Sequence, residues 1–254
     1  MLGRQIMQQV DVQSTPRLVG FPWYDSSKTR DLWSGFWVVM HQMLLSRGIQ
    51  NLPFELDRKT DPRDQWSHPQ LLLSQCCGLD LHYHDMDHIV PVARPAIPEL
   101  QCEPGDYYSY VIVRGDVKNS GRIVVNNERS RSGCTSLLEW LRNRGLRSEL
   151  TLVSGSHQES IRYIKQGVAD IAAIDAYSAN FLDMTELKIV GTTRPTAAPP
   201  FITRLDIDIP RELLIEALEE AVRVKGASLG IAEVIPTERD AYSDLQADWQ
   251  KGSR

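Results

Sequence analysis

The 254-residue chain has no run of about 20 apolar residues, so it carries no helix able to cross a bilayer. It has only four cysteines, too few to serve as a fold scaffold. It has no surplus of positive charge. Its 28 Lys and Arg stand against 33 Asp and Glu, a net charge of −5. The pI of about 5.7 gives no broad electrostatic footprint for nucleic acid. Residues 1–12 hold one early arginine but lack the apolar core of about 7–15 residues and the small-residue cleavage site of a secretory leader. As written, the chain would stay in the cytoplasm; an exported protein whose leader was removed or left out is the other reading. Internal repeats and low-complexity tracts are also missing. What is present is ordinary for a folded protein: 42% hydrophobic and 24% charged residues. At roughly 150 residues per domain, the length suits one large or two small domains.

Apolar patterning organises the chain. Residues 18–21 read as a strand, and Leu32, Trp33, Phe36, Trp37, Met40 and Leu44 recur at helical spacing up to the stop at Gly48. Residues 52–56 read as a second strand, Pro62 as the first turn of a helix anchored by Trp66, and 71–74 as a third strand. This strand–helix alternation is that of a parallel sheet covered by helices. Pro91, Pro95, Pro98 and Pro104 then mark a stiff, extended crossing. The alternation restarts beyond it: strands at 110–113, 123–125, 150–153 and 171–174, with helices around Leu137 and over 160–165. After a strand-like stretch at Ile189 and Val190, Pro195, Pro199 and Pro200 mark a second crossing. A helix opened by Pro210 and striped by Leu213, Leu214, Ala217, Leu218, Ala221 and Val222 follows, with a terminal helix over 240–249. The expectation is an α/β protein of two lobes. Lobe 1 is discontinuous, 16–95 and 190–254, and lobe 2 is 96–189.

Three polar groups fall at consecutive strand ends. Asn126-Asn127-Glu128-Arg129-Ser130-Arg131-Ser132-Gly133-Cys134 leads from a strand into a helix. A helix start leaves free N–H groups and partial positive charge, and hydroxyls at Ser130 and Ser132 add donors, so an oxyanion cradle is chemically reasonable. The ordinary reading is a serine cap. No Gly-Lys-Ser/Thr follows, so it is not a Walker loop. Ser154-Gly155-Ser156-His157 would bring His157 to the same cleft, because parallel strand ends converge; the plainer reading is a cap with a solvated histidine. Asp175 could hold a ligand amine or hydroxyl, or simply cap the next helix. Ser130, His157 and Asp175 run in triad order but sit in no Gly-x-Ser-x-Gly context. His82, His84, Asp85, Asp87 and His88 are dense in metal-capable groups, yet their spacing fits no zinc motif, and a surface loop is the better account. Trp33, Trp37 and Trp66 are most simply core.

Several segments together resemble the PhnD-like phosphate/phosphonate substrate-binding proteins of ABC transporters. They are Leu73-Ser74-Gln75-Cys76-Cys77-Gly78, Cys102-Glu103-Pro104-Gly105-Asp106-Tyr107-Tyr108-Ser109, the 126–133 loop, Gly155-Ser156-His157, Ala169-Asp170-Ile171-Ala172-Ala173-Ile174-Asp175, and Pro199-Pro200-Phe201-Ile202-Thr203. The resemblance implies a type 2 periplasmic-binding-protein fold, each lobe a mostly parallel sheet flanked by helices, with the ligand cleft between lobes. It implies ligand contacts at Ser130, Ser132, Gly133 and the backbone N–H of Cys134, and at His157 and Asp175. Further contacts fall at Tyr24, Gln75 and Ser109. It places Cys77 and Cys102 where related proteins often carry cysteines, so that they could pair. Cys134 departs from the pattern, since larger polar or aromatic residues are common there.

The function this implies is a non-catalytic solute receptor of an ABC-type uptake system. It needs no cofactor or metal, takes a small oxyanion such as a phosphonate or phosphate ester, and works with a membrane permease without inserting into the membrane or binding nucleic acid. By family its compartment is the periplasm. With no Lys or Arg assigned to the cradle, neutral donors and the helix dipole would carry the anion. The alternative is a cytoplasmic enzyme on the same scaffold, of the thiamine-pyrimidine or cofactor-biosynthesis type, with His157 as general base and Asp175 as its orienter. A ligand sensor is a third option, and no DNA-binding helix-turn-helix is visible to support it.

Overall fold

A computed structural model of the chain describes residues 16–115, 121–147 and 150–245. In chain order its elements are β1 (Leu18–Val19), α1 (Arg30–Ser46), α2 (Pro62–Ser67), β2 (Leu71–Gln75), β3 (Ile89–Ala96), β4 (Asp106–Tyr107), β5 (Ser109–Arg114) and β6 (Arg122–Val125). A wide turn over Arg131–Thr135 leads to α3 (Ser136–Arg142), β7 (Leu150–Val153), α4 (His157–Lys165), β8 (Ile171–Asp175) and α5 (Ala176–Ala179). Then come β9 (Leu187–Thr192), β10 (Thr196–Ala197), β11 (Phe201–Arg204), α6 (Arg211–Leu229) and β12 (Glu233–Pro236).

The strands form two five-stranded sheets, β1–β2–β11–β3–β12 and β7–β6–β8–β5–β9. The apolar spacing of α1 buries Trp33, Phe36, Trp37, Met40 and Leu44. These pack with the α6 row Leu214, Ala217, Leu218, Ala221 and Val222 over the first sheet. Phe21, Trp33, Phe36 and Phe201 meet there ring to ring, Phe36 and Phe201 stacked at 6.3 Å. Trp33, Trp37 and Trp66 are all core, as their spacing suggests. The α6 helix closes tightly on the chain that follows: a Cβ on Gly226 would lie 2.3 Å from the Ile231 carbonyl oxygen. In the second sheet, Leu137, Trp140 and Leu141 of α3 cover one face, and Ile161 and Ile164 of α4 the other.

Three expectations are corrected. The sheets are mixed rather than mostly parallel: β1–β2, β6–β7 and β6–β8 are parallel, but β11 and β12 lie antiparallel in the first sheet, and β5 is antiparallel to both β8 and β9 in the second. The reason is topological: the chain leaves one sheet and re-enters it from the other, which reverses strand direction. Residues 52–56 are not a strand. Pro53 has no N–H to give a ladder, and Phe54 is 86% exposed. The segment is tied instead through Pro53 O, which accepts from the Trp37 indole N–H, and through Asp57 N–H, which donates to Val19 O. The first proline crossing is half strand: β3 carries Pro91 and Pro95, with Pro91 opposite Ile202 at a register shift and Pro95 opposite Val234 of the edge strand β12. The stretch expected as a terminal helix begins with a short turn at Arg239–Tyr242 and continues helically over 243–245; the remainder of 240–249, like the leader-poor 1–12, lies outside the described residues.

The remaining crossings run side by side between the sheets. They pair as an antiparallel ribbon of β4 and β10, Tyr107 opposite Thr196 and Asp106 opposite Ala197. β9 belongs wholly to the second sheet, through Thr192 opposite Tyr110.

Candidate functional site

Parallel pairing makes β6, β7 and β8 end on the same side, and β1 and β2 do likewise in the other sheet. The carboxyl ends of both sets face a cleft of about 710 Å³, a size typical of small-molecule sites. One wall is Tyr24, Asp25, Arg63, Cys77 and Asp80; the other is Asn126, Arg129, Ser130, Ser132, His157 and Asp175.

The loop after β6 is shaped by its own sequence. Ser130 caps the wide turn, its Oγ accepting from the Gly133 N–H at 3.1 Å. Cys134 N–H donates to Ser130 O at 3.2 Å. Ser130 Oγ lies 3.4 Å from Ser132 Oγ, which in turn lies 3.0 Å from His157 Nε2. The result is a line of two hydroxyls and an imidazole along the cleft. Gly133 is required by crowding: a Cβ there would fall 1.9 Å from Asn126 Oδ1 and 3.2 Å from His157 Cε1.

His157 opens α4, with Ser156 as the cap accepting from Glu159 N–H. Burial pushes the His157 imidazole down to about 4, against a smaller opposing influence of the Ala173 backbone, so it is neutral at physiological pH. Asp175 caps α5 through Oδ1, which accepts from Ser178 N–H at 2.8 Å, while Oδ2 accepts from the Tyr24 hydroxyl at 3.4 Å. Burial lifts its carboxyl to about 6 and, together with the Asp175 charge, raises the Tyr24 phenol well above its usual range.

Of the expected contacts, Tyr24, Ser130, Ser132, His157 and Asp175 line the cleft together. Gly133, Cys134, Gln75 and Ser109 are not in its lining. The Gly133 and Cys134 N–H groups that the cradle would use are spent on capping by Ser130, because a tight turn after a strand consumes its first amides internally. Burial also pushes the Cys134 thiol up to about 11. Gln75 and Ser109 are buried at the inner ends of β2 and β5, and their side-chain polar atoms have no hydrogen-bond partner among the described residues. Asp175 makes no bond to His157, so the orienter role of the enzyme alternative is not built here. All four cysteines are free thiols: Cys77 Sγ accepts from Arg131 N–H at 3.4 Å, and Cys102 Sγ donates to Asp106 O at 3.1 Å, in place of the Cys77–Cys102 pair.

Three lining groups escape sequence reasoning. Arg129 and Arg63 bring cationic side chains to the cleft, contrary to the expectation of neutral donors alone. The Arg129 guanidinium stacks on the Tyr83 ring, 3.3 Å from its centroid, and lies 3.7 Å from Asp85, joining the two walls. Asp80 is buried beside them; burial raises its carboxyl to about 6, with the Arg129 charge working the other way. A composition shift or motif marks none of these, since Asp80 follows a plain Gly-Leu and Arg63 a proline helix start. The histidine-rich stretch disperses: His82 Nε2 meets Tyr242 O and His88 Nε2 meets Trp66 O, leaving His84 on the surface. No group of three or more metal-capable residues forms among the described residues.

Comparison with known proteins fits this geometry. The chain is similar in fold to a binding protein component of an ABC phosphonate transporter (PA3383) from Pseudomonas aeruginosa, at 14% identity over 94% of this chain and 87% of that one, with a TM-score of 0.71. It is similar to PhnD1 from Prochlorococcus marinus, solved in complex with methylphosphonate, at 13% identity over 93% and 98%, with a TM-score of 0.66. It is also similar to XAC2383 from Xanthomonas citri, solved bound to ATP, at 15% identity over 94% and 98%, with a TM-score of 0.65. No curated protein matches the chain. The family described as ABC transporter, phosphonate, periplasmic substrate-binding protein matches residues 80–245, most of both sheets and the wall that carries Ser132, His157 and Asp175. With a periplasmic-binding-protein fold and that match over more than half its length, the chain belongs to the family of phosphonate ABC-transporter periplasmic substrate-binding proteins.

Proposed function

We propose that this solute-binding protein takes a tetrahedral oxyanion, a phosphonate or phosphate ester, between its two sheets and does not transform it. The observation that carries the reading is the Ser130–Ser132–His157 line on the cleft wall. Ser130 Oγ accepts from Gly133 N–H and keeps its own proton for a ligand oxygen. Ser132 Oγ and His157 Nε2 share one proton across 3.0 Å, and with the imidazole as donor the Ser132 proton is left for the ligand in the same way. Arg63 and Arg129 add positive charge among Asp25, Asp61, Asp80 and Asp175 of the same lining, so attraction of an anion is local to the two guanidinium groups. The two neighbours solved with ligands hold methylphosphonate and ATP, whose shared chemistry is the tetrahedral phosphorus oxyanion.

Asp175 and Tyr24 on facing walls suit a ligand amine or hydroxyl. Gln75 and Ser109, with unmatched buried polar atoms, support a further polar group at the inner end. The division into two lobes, expected at 16–95 with 190–254 and at 96–189, belongs to this reading with its second boundary moved past Thr192, since β9 lies in the second sheet, and with the β4–β10 ribbon as hinge. So do a membrane permease that reads the closed form and a periplasmic site of action.

The test is calorimetry with methylphosphonate and inorganic phosphate on the parent chain and on Ser132→Ala. One neutral hydrogen bond is worth about 0.5–1.5 kcal/mol, so affinity for both probes should fall roughly three- to tenfold. Unchanged affinity would remove Ser132 from the site, and release of phosphate from an added ester such as phenyl phosphate would favour the enzyme reading.

A further inference from the structure

The cleft is far larger than the group that the serines hold. At about 30 Å³ per water-sized atom, its volume of about 710 Å³ accommodates about 24 such atoms. A methylphosphonate would use about a fifth of that. The lining also carries aromatic and apolar side chains, Pro22, Trp23 and Trp66 on one wall among Asp25, Asp61 and Arg63, and Phe181 and Leu182 on the other. Trp23 and Trp66 sit 5.5 Å apart, tilted by 39°. The Trp66 indole N–H is already spent on Gln75 O at 3.0 Å, and its ring is buried; Trp23 is only half-buried. A half-buried indole held in place by a second, fixed indole is a rigid stacking surface. It costs little entropy to present to a flat ligand group.

We infer that the ligand is an oxyanion ester with a flat aromatic body, the size of a nucleoside monophosphate, its ring against the Trp23–Trp66 pair and its oxyanion at Ser130 and Ser132. This rests on the oxyanion reading above and narrows it. A small alkylphosphonate leaves these aromatic and apolar side chains in contact with water, whereas an aromatic ester covers them and gains their dispersion and hydrophobic contribution.

The probes are AMP, phenylphosphonate, methylphosphonate and inorganic phosphate, measured by calorimetry and by tryptophan fluorescence. AMP should bind at least tenfold more tightly than methylphosphonate and quench tryptophan emission. Trp23→Ala should weaken AMP about tenfold, within the range for a base stacked on an aromatic side chain, and leave methylphosphonate unchanged. Trp23→Phe, which keeps a flat ring and the fold, should retain AMP binding within about threefold. Equal affinity for AMP and methylphosphonate, both weakened by Ser132→Ala, would overturn the aromatic-body inference while leaving the oxyanion reading intact. Probes indifferent to Ser132→Ala would overturn the oxyanion reading itself. Equal losses for AMP and methylphosphonate in Trp23→Ala would reduce Trp23 to a structural residue and sink the stacking role.

Discussion

Two buried carboxylates, a half-buried imidazole and the Arg63 and Arg129 guanidinium groups set the electrostatics of the cleft, and Asp175 allows the clearest test. Its carboxyl is lifted from 3.8 to about 6 because burial disfavours the charge more than its Ser178 and Tyr24 hydrogen bonds favour it. Between those values the folded chain keeps a proton that the unfolded chain has released. The stability from this group is therefore whole below about 3.8 and is lost as pH rises through about 6. Asp175→Asn preserves the cap on α5 and cannot ionise. Relative to the parent it should gain up to about 2–3 kcal/mol as pH goes from about 4 to 7. His157 works in the opposite sense, because its depressed value makes stability fall as pH drops through about 4. It is common to both proteins and cancels from the comparison. Urea midpoints at three pH values measure the effect, and a difference that stays flat across that range would mean Asp175 is ionised without penalty.

At the level of the element, the turn between β6 and α3 is held by local crowding as much as by hydrogen bonds. Ser130 supplies the cap, but Gly133 lets the turn close, because Asn126 occupies the space a Cβ would need. Gly133→Ala must push Asn126 or the whole turn outward. Overpacking of this kind costs about 1–3 kcal/mol, so thermal unfolding should begin several degrees lower. His157 Cε1 is next in line, so the Ser132–His157 hydrogen bond should lengthen too. A variant with the parent's melting temperature and oxyanion affinity would show that the turn has slack. The same reasoning explains why serines that cap a turn can still serve a ligand: a hydroxyl has one proton and two lone pairs, and the cap uses a lone pair.

Across the whole molecule, the two sheets are joined by a ribbon at one side, by Ala176 and Tyr177 of α5 packed into the core over the first sheet, and by a few side chains over the cleft. Tyr24 to Asp175 is one such bridge, and Arg129 on Tyr83 is another. If the two lobes open and close as proposed, Arg129→Ala removes a contact worth about 0.5–1 kcal/mol, which should shift the ratio of open to closed forms about two- to fivefold. Small-angle scattering should then give a larger radius of gyration without ligand and the parent's value with saturating methylphosphonate. An unchanged radius in both states would mean the bridge does not restrain closure. The ribbon accounts for the prolines that lie outside the sheets, Pro98 and Pro104 on one crossing and Pro195, Pro199 and Pro200 on the other, while Pro91 and Pro95 belong to β3. Stiff chain with few N–H donors suits a crossing that must not pair with either sheet, and the short β4–β10 pairing fixes the two crossings to each other.

The sequence alone determined the α/β alternation, the aromatic stripe of α1, the caps at Ser130 and Ser156, and the placing of Ser132, His157 and Asp175 at strand ends, since each depends on residues within a few positions of one another. It misjudged 52–56 because the proline and the exposed Phe54 within that apolar run carry different weight once α1 lies beside them. It took Pro91 and Pro95 for a linker because a strand's tolerance for proline depends on which neighbour faces it. Only the tertiary structure decided that Arg63, Arg129, Asp80 and Trp23 share a cleft with the serines, that Cys77 accepts a hydrogen bond from Arg131 instead of pairing with Cys102, and that the Gly133 and Cys134 amides are already occupied. Those outcomes turn on contacts between residues about fifty or more apart, or on how a turn spends its donors once it closes, and neither is written in local patterning.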